Sequence, residues 1–124
     1  MLGELRRIVG AEHALEPAAE HLHDATETRG IEGRADAVVF PCSTDEVARV
    51  LEWCYEHDVA LTPRGGGSGF AGGAVPVEGG VVLGLDRLDR VRAFEPLLWR
   101  MHVEAGVRTS HVQRLARESG LLFP

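Results

Sequence analysis

Apolar residues in the first half of the chain recur at spacings that predict a helix, a strand, a second helix and a second strand. Residues 2–9 suit a short amphipathic helix because their apolar positions fall on one face: Leu2, Leu5, Ile8 and Val9. Residues 11–32 are polar and irregular. Residues 37–40 form a β-branched and aromatic run closed by Pro41, which is typical of a buried strand, and residues 59–62 predict another strand.

The second helix has a start signal and one apolar face. Ser43 and Glu46 have the spacing of a capping box, in which a hydroxyl and a carboxylate bond N–H groups of the first turn. The apolar side chains that follow recur at helical spacing: Val47, Val50, Leu51, Cys54 and Tyr55. His57-Asp58 ends the helix. A strand–helix–strand connection of this length predicts a parallel strand pair with a right-handed crossover.

The second half of the chain predicts two more strands and a third helix. Residues 81–85 form a third strand. Residues 100–105 alternate in polarity, as in a half-exposed antiparallel strand, and His102 falls on the exposed face. Residues 110–113 have the form of a second capping box. The inward residues and the C-cap of the helix that follows are predicted to be Leu115, Ala116 and Gly120.

Between the second and third strands lies a stretch that is unusually poor in side chains. Six of the eleven residues from Pro63 to Gly73 are glycine. Glycine leaves main-chain N–H groups uncovered and adopts positive φ at little cost, so successive N–H groups can converge on one anionic oxygen. The stretch follows the carboxyl end of a predicted strand, where ligands of parallel sheets bind. A phosphate is the predicted ligand, and a glycine-rich surface turn without a ligand is the alternative.

Two familiar phosphate-binding motifs do not fit this stretch. Residues 67–72 match the pattern G-x-G-x-x-G, and Asp89 follows at about 20 residues, as in a dinucleotide-binding fold. That motif must open a helix, whereas Pro76 and a further glycine pair follow here. A P-loop is excluded because the chain contains no lysine. The remaining interpretation is a glycine-rich anion nest between two strands.

Composition and charge narrow the function classes. The 124 residues carry a net charge of −6 and no basic cluster, so nothing indicates a nucleic-acid partner. The chain starts with charged residues instead of the apolar run of a secretory peptide, and no apolar stretch could span a bilayer. A cytoplasmic location is therefore the expectation. Cys42 and Cys54 are predicted to be reduced thiols without a zinc framework.

The histidines before residue 24 allow the hypothesis of a metal site. His21, His23 and Asp24 lie close together in the sequence, with His13 upstream. No further ligands stand at a recognisable metal spacing, so a solvated connecting segment is the favoured interpretation and no metal is predicted.

The glycine stretch and its flanks carry a family resemblance. Residues 63–69, 72–76 and 79–83 resemble the flavin-binding domain of the vanillyl-alcohol oxidase and p-cresol methylhydroxylase (PCMH) superfamily. They are most similar to the branch that contains the D-type subunit of glycolate oxidase and FAD-linked D-lactate dehydrogenases. Further similar segments are Asp24-Ala25-Thr26, residues 34–39, Pro41, residues 103–107 and residues 120–124.

The resemblance implies an α+β fold. The chain would form a PCMH-type FAD-binding domain, with a first α/β subdomain of short parallel strands and helices and the start of a second, mostly antiparallel subdomain. Residues 1–33 would be an N-terminal helix and irregular lead-in. Residues 34–124 would be the FAD-binding domain, expected to be incomplete at its C-terminus because the apolar residues 121–123 have no partner segment after them.

The resemblance also implies a site for the FAD pyrophosphate. Five residues would cradle it, with the serine hydroxyl as an added donor: Gly65, Gly66, Gly67, Ser68 and Gly69. Gly72, Gly73 and Ala74 would line the path toward the flavin. Arg64 has two interpretations, a phosphate clamp or a salt bridge to a nearby carboxylate. Some members carry a flavin-linked histidine near the position of Ser68, and since this chain has none there, non-covalent FAD is expected.

The function expected from the resemblance is that of the N-terminal part of an FAD-dependent oxidoreductase acting on a 2-hydroxy acid such as glycolate or D-lactate. The flavin does the redox chemistry and the protein positions it. No catalytic residue is assigned, because in the family a second FAD-binding stretch and a substrate domain follow the position of Pro124, and the fragment alone is expected to be inactive. The alternative is a non-catalytic nucleotide- or anion-binding module that uses the same glycines.

Overall fold

The computed structural model describes residues 1–26 and 30–124. In chain order the helices and strands are α1 (Leu2–Val9), β1 (Ala14–Leu15), β2 (Ala37–Val39), α2 (Thr44–Glu56), β3 (Leu61–Arg64), β4 (Val81–Gly84), β5 (Val91–Glu95), β6 (Arg100–Val103) and α3 (Thr109–Glu118). One sheet has the order β1-β2-β4-β3, and the other consists of β5 and β6. The predicted α+β class, with parallel strands first and antiparallel strands after them, is confirmed.

Strand β4 occupies the middle of the first sheet. It pairs in parallel with β2 on one side and with β3 on the other, while β1 pairs antiparallel with β2. The prediction that the strands flanking α2 form a pair is therefore wrong, because β4 lies between β2 and β3. All four residues of β4 are buried, as is typical of an interior strand in a parallel sheet. Its continuous apolar sequence therefore suits the central position.

The core lies between this sheet and helices α1 and α2, which contribute Leu5, Val9, Val50, Trp53 and Cys54. The buried face of α2 differs from the predicted one, since Leu51 is 46% exposed and Tyr55 is 89% exposed. The helix buries the indole of Trp53 instead, which removes a larger apolar surface from water. The Trp53 ring stacks on His57 with 4.4 Å between the ring centroids.

The capping interaction predicted at the start of α2 is present. The hydroxyl of Ser43 accepts a hydrogen bond from the Glu46 N–H at 3.2 Å. The Glu46 carboxylate accepts the N–H of Cys42 at 2.8 Å, one residue earlier than in a standard capping box. Local sequence therefore determines where this helix begins.

The second sheet contains one strand that was not predicted, β5, while β6 and α3 follow in the predicted order. His102 is exposed on β6 and its neighbours are half-buried, as the alternation predicts. The predicted capping box at residues 110–113 is wrong, because α3 begins at Thr109 with Arg108 as its N-cap and no side-chain cap. The C-cap of α3 is Ser119 and not the predicted Gly120, which follows it with φ +74°, the left-handed conformation that glycine adopts at helix ends.

Candidate cofactor site

The glycine stretch leaves the carboxyl end of β3 and runs through residues 65–74, here called the glycine loop, without forming a helix or a strand. The absence of a helix after these glycines agrees with the rejection of the dinucleotide-binding motif. Since β3 runs parallel to β4, the loop lies at the sheet edge where ligands of parallel α/β sheets bind.

The lead-in supports the glycine loop. Arg64 Nη1 donates a hydrogen bond to the carbonyl oxygen of His23 at 2.7 Å. A Cβ added to Gly69 would lie 4.0 Å from Asp24 Oδ2, and one added to Gly72 would lie 3.9 Å from the Thr26 hydroxyl. The loop therefore packs on the turn at residues 23–26, a segment that the sequence pattern describes only as irregular.

A cleft of about 630 Å³ opens on the other side of the loop. Gly65, Gly66 and Ser68 line one wall, and residues 105–110 line the opposite wall. A Cβ added to Gly65 or to Gly66 meets no atom within 4 Å, so the missing side chains leave open space over the main chain. An anion site formed by main-chain N–H groups requires such open space.

The opposite wall is formed by the approach to α3 and its first turn. Gly106 lies so close to Leu85 that a Cβ there would be 1.9 Å from the Leu85 carbonyl oxygen. Thr109 and Ser110 belong to the first turn of α3, where main-chain N–H groups have no partner within the helix and the helix dipole is positive. Arg108 lines this cleft and also a neighbouring cavity of about 320 Å³ that Gly65 and Gly66 share. This wall therefore offers positive charge to an anion, while Asp86, which also lines the cleft and the neighbouring cavity, adds a negative charge beside it.

The predicted site residues divide into two groups. Gly65, Gly66 and Ser68 line the cleft. The other predicted residues lie outside its lining: Arg64, Gly67, Gly69, Gly72, Gly73 and Ala74. Sequence reasoning missed the second wall, although residues 103–107 belong to the resemblance. A glycine three residues before a helix start was the available signal.

Contacts with the lead-in and with the glycine loop fix the orientation of the Arg64 side chain. Its guanidinium bonds the His23 carbonyl and lies against Gly67, which has φ +63°. Its positive charge is also one of the smaller causes that lower the pKa of Asp24, after the hydrogen bonds from Thr26 and Ala74. These contacts describe a brace between the glycine loop and the lead-in.

The described residues contain no group of three or more His, Cys, Asp or Glu side chains that could hold a metal ion. His21 and His13 instead lie beside Glu20 and Glu12, their sequence neighbours. Within the same residues, no helix combines the length and the apolar character needed to cross a membrane.

Comparison with known protein families shows which family this chain belongs to. The family described as FAD binding domain matches residues 35–124, and the chain belongs to this family. A solved structure of p-cresol methylhydroxylase with substrate bound shares the fold, with a TM-score of 0.81 at 22% identity over 97% of this chain and 24% of that one. The chain thus contains an FAD binding domain, and its fold is that of p-cresol methylhydroxylase.

Two curated relatives are oxidoreductases by name. The glycolate oxidase subunit GlcD of Bacillus subtilis is 37% identical over 89 residues, which cover 72% of this chain and 19% of that protein. D-2-hydroxyglutarate dehydrogenase of Xanthomonas citri pv. viticola is 39% identical over 88 residues, covering 71% of this chain and 19% of that protein. The chain thus spans about a fifth of the length of the relatives that it matches.

The cleft residues fit the diphosphate part of FAD. Gly65 and Gly66 form a cradle that a Cβ would fill, and Arg108 and the first turn of α3 supply positive charge on the facing wall. FAD, when bound, supplies the redox chemistry. The residues of this chain would provide main-chain donors, charge and shape.

Proposed function

We propose that this chain binds the FAD diphosphate between residues 65–68 and residues 106–110, without a covalent bond, as the cofactor domain of an oxidoreductase that acts on a 2-hydroxy acid. The observation that carries the proposal is the open space over Gly65 and Gly66, which faces a cleft of about 630 Å³. A diphosphate placed there would meet uncovered N–H groups on one side and a helix N-terminus on the other.

The remaining predicted residues have supporting roles in this proposal. Ser68 lines the cleft and offers its hydroxyl as a donor to the diphosphate. Gly72, Gly73 and Ala74 form the arm of the loop that would continue toward the flavin. Arg64 acts as a brace in the observed arrangement, and a role as a phosphate clamp would require its guanidinium to leave the His23 carbonyl.

The substrate class comes from the relatives. Glycolate and D-2-hydroxyglutarate, which appear in their names, are both 2-hydroxy acids. The substrate and the catalytic groups would be held by further polypeptide, since those relatives are about five times longer than the matched segment. An apolar groove of about 570 Å³, lined among others by Phe94, Trp99, Val112 and Leu121, is proposed to pack against that polypeptide. A cytoplasmic location stays a prediction.

The decisive experiment enlarges Gly66 in the full-length protein that contains this chain. Gly66→Leu should reduce FAD affinity by at least about tenfold, a change of about 1.4 kcal/mol, because the new side chain enters the cleft. The thermal unfolding of the flavin-free protein should stay unchanged, because a Cβ at Gly66 meets no atom within 4 Å. Gly3→Ala, which adds a methyl to equally open space in α1, is the matched control. Unaltered FAD affinity in Gly66→Leu contradicts the proposed site.

The second candidate is a non-catalytic nucleotide- or anion-binding module with the same cleft. Main-chain donors and a helix N-terminus recognise a diphosphate irrespective of the flavin, and this favours binding of ADP as well as FAD. Calorimetric titration with both nucleotides distinguishes the candidates. A protein that binds ADP as tightly as FAD and shows no flavin reduction by any 2-hydroxy acid is such a module.

A further inference from the structure

One carboxylate of the lead-in is buried and incompletely hydrogen-bonded. Asp24 is 4% exposed, and its Oδ1 accepts hydrogen bonds from the N–H of Thr26 at 2.8 Å and from the Thr26 hydroxyl. Its Oδ2 is buried and accepts no hydrogen bond of normal geometry from the described residues, although the Ala74 N–H lies near enough to the carboxylate to lower its pKa. A buried acceptor without a donor is costly, so a donor is expected in a functional state of the protein.

The free oxygen faces the glycine loop. A Cβ added to Gly69 would lie 4.0 Å from Oδ2. Hydrogen bonds from Thr26, and to a smaller extent the Ala74 N–H and the charge of Arg64, lower the pKa of Asp24, so the group is ionised near neutral pH. Hence a carboxylate lies beside residues 69–74 of the glycine loop.

Asp24 does not touch the proposed cofactor position. It is not among the residues that line the cleft of Gly65, Gly66 and Ser68. A carboxylate would also repel the negative diphosphate if it pointed there. Its natural donors are main-chain N–H groups of the glycine loop, which has few side chains to compete for it.

We propose that Asp24 is a positioning residue for the cofactor loop, whose Oδ2 accepts a main-chain N–H from residues 69–74 when the loop holds FAD. The proposal rests on the proposed function and adds a residue to it. Binding of FAD from the cleft side and bonding to Asp24 from the lead-in side would hold the loop between them. A loop so rich in glycine gains most from such an anchor, because its ordering costs the most entropy.

Asp24→Asn tests this role in the full-length protein. The amide oxygen can keep both hydrogen bonds from Thr26, which leaves an NH₂ donor where the Oδ2 acceptor was. We expect FAD affinity to fall by about tenfold, with faster dissociation. The unfolding temperature of the flavin-free protein should fall no further than in Thr26→Val, because the neutral amide loses only the stability that the lowered pKa of Asp24 represents. Thr26→Val is the matched control: it removes the hydroxyl beside Oδ1 but keeps Oδ2, so it should lower the unfolding temperature with little loss of FAD affinity.

Hydrogen exchange provides a second test that needs no variant. Addition of FAD to the wild type should slow the exchange of at least one amide among residues 69–74, and Asp24→Asn should abolish that protection at the same FAD occupancy. Absence of any such protection in the wild type overturns the proposal, as does wild-type FAD affinity in Asp24→Asn. These results leave the proposed function intact if Gly66→Leu still loses FAD. A wild type that binds no FAD overturns both.

Discussion

The guanidinium of Arg64 packs against the main chain of Gly67, so that a Cβ added to Gly67 would lie 2.1 Å from Arg64 Nη2. The same guanidinium donates through Nη1 to the His23 carbonyl at 2.7 Å. One side chain therefore joins the glycine loop to the lead-in. Gly67 is required for this contact because of its missing Cβ and because of its φ of +63°.

The first prediction concerns two neighbouring glycines with different surroundings. Gly67→Ala should lower the free energy of unfolding by about 1–2 kcal/mol, because an L-residue is strained in the left-handed region. Displacement of Arg64 from its position adds to this loss. Gly65→Ala should change the free energy of unfolding by less than about 0.5 kcal/mol, because the added methyl enters open space. Denaturant unfolding of the flavin-free proteins measures both values, and equal losses would contradict the described loop.

The second prediction separates the two interpretations of Arg64. Arg64→Met keeps an apolar stem but removes the donor to the His23 carbonyl, so the free energy of unfolding should fall by about 1.5 kcal/mol. If Arg64 is a brace, the salt dependence of FAD binding should be the same in the variant and the wild type. Titrations at several ionic strengths measure this dependence. A clearly weaker salt dependence in Arg64→Met would support the phosphate clamp instead.

The third prediction concerns pH and the second sheet. The Arg90 N–H donates to Glu104 at 2.9 Å, and this hydrogen bond is the main cause that lowers the pKa of Glu104 from its ordinary value of 4.5, with further contributions from the side chains of Arg90 and Arg92. A lowered pKa contributes stability that is full above the ordinary value and is lost as the pH falls through the lowered value.

Glu104→Gln should therefore be less stable than the wild type at neutral pH, and the difference should shrink below about pH 4. Unfolding curves between pH 7 and pH 3 measure the difference in the full-length protein. Glu95→Gln, which removes an exposed pair with Arg100, should show little effect at any pH and serves as the control. A difference that stays constant across the range would exclude the assigned role of Glu104.

Local patterns predicted the elements better than their arrangement. The capping serine of α2 and the run that became β2 depend on neighbours within a few residues, so their sequence signals suffice. The rotation of α2 was missed because Leu51 and Trp53 lie on nearly opposite faces of the helix, and the sheet decides which face is buried. The insertion of β4 between β2 and β3 was missed because strand order depends on contacts between distant segments.

The sequence by itself determined two things about this protein: a strand that ends in a glycine-rich loop without a helix behind it, and the FAD binding domain family to which the chain belongs. Only the tertiary structure decided which glycines face the cleft and which pack on the lead-in. It also placed His23 and Asp24 beside that loop, although His23 and Arg64 are 41 residues apart in the chain. The physical reason is that main-chain donors are available wherever side chains are missing, whereas the direction in which they point is set by long-range packing.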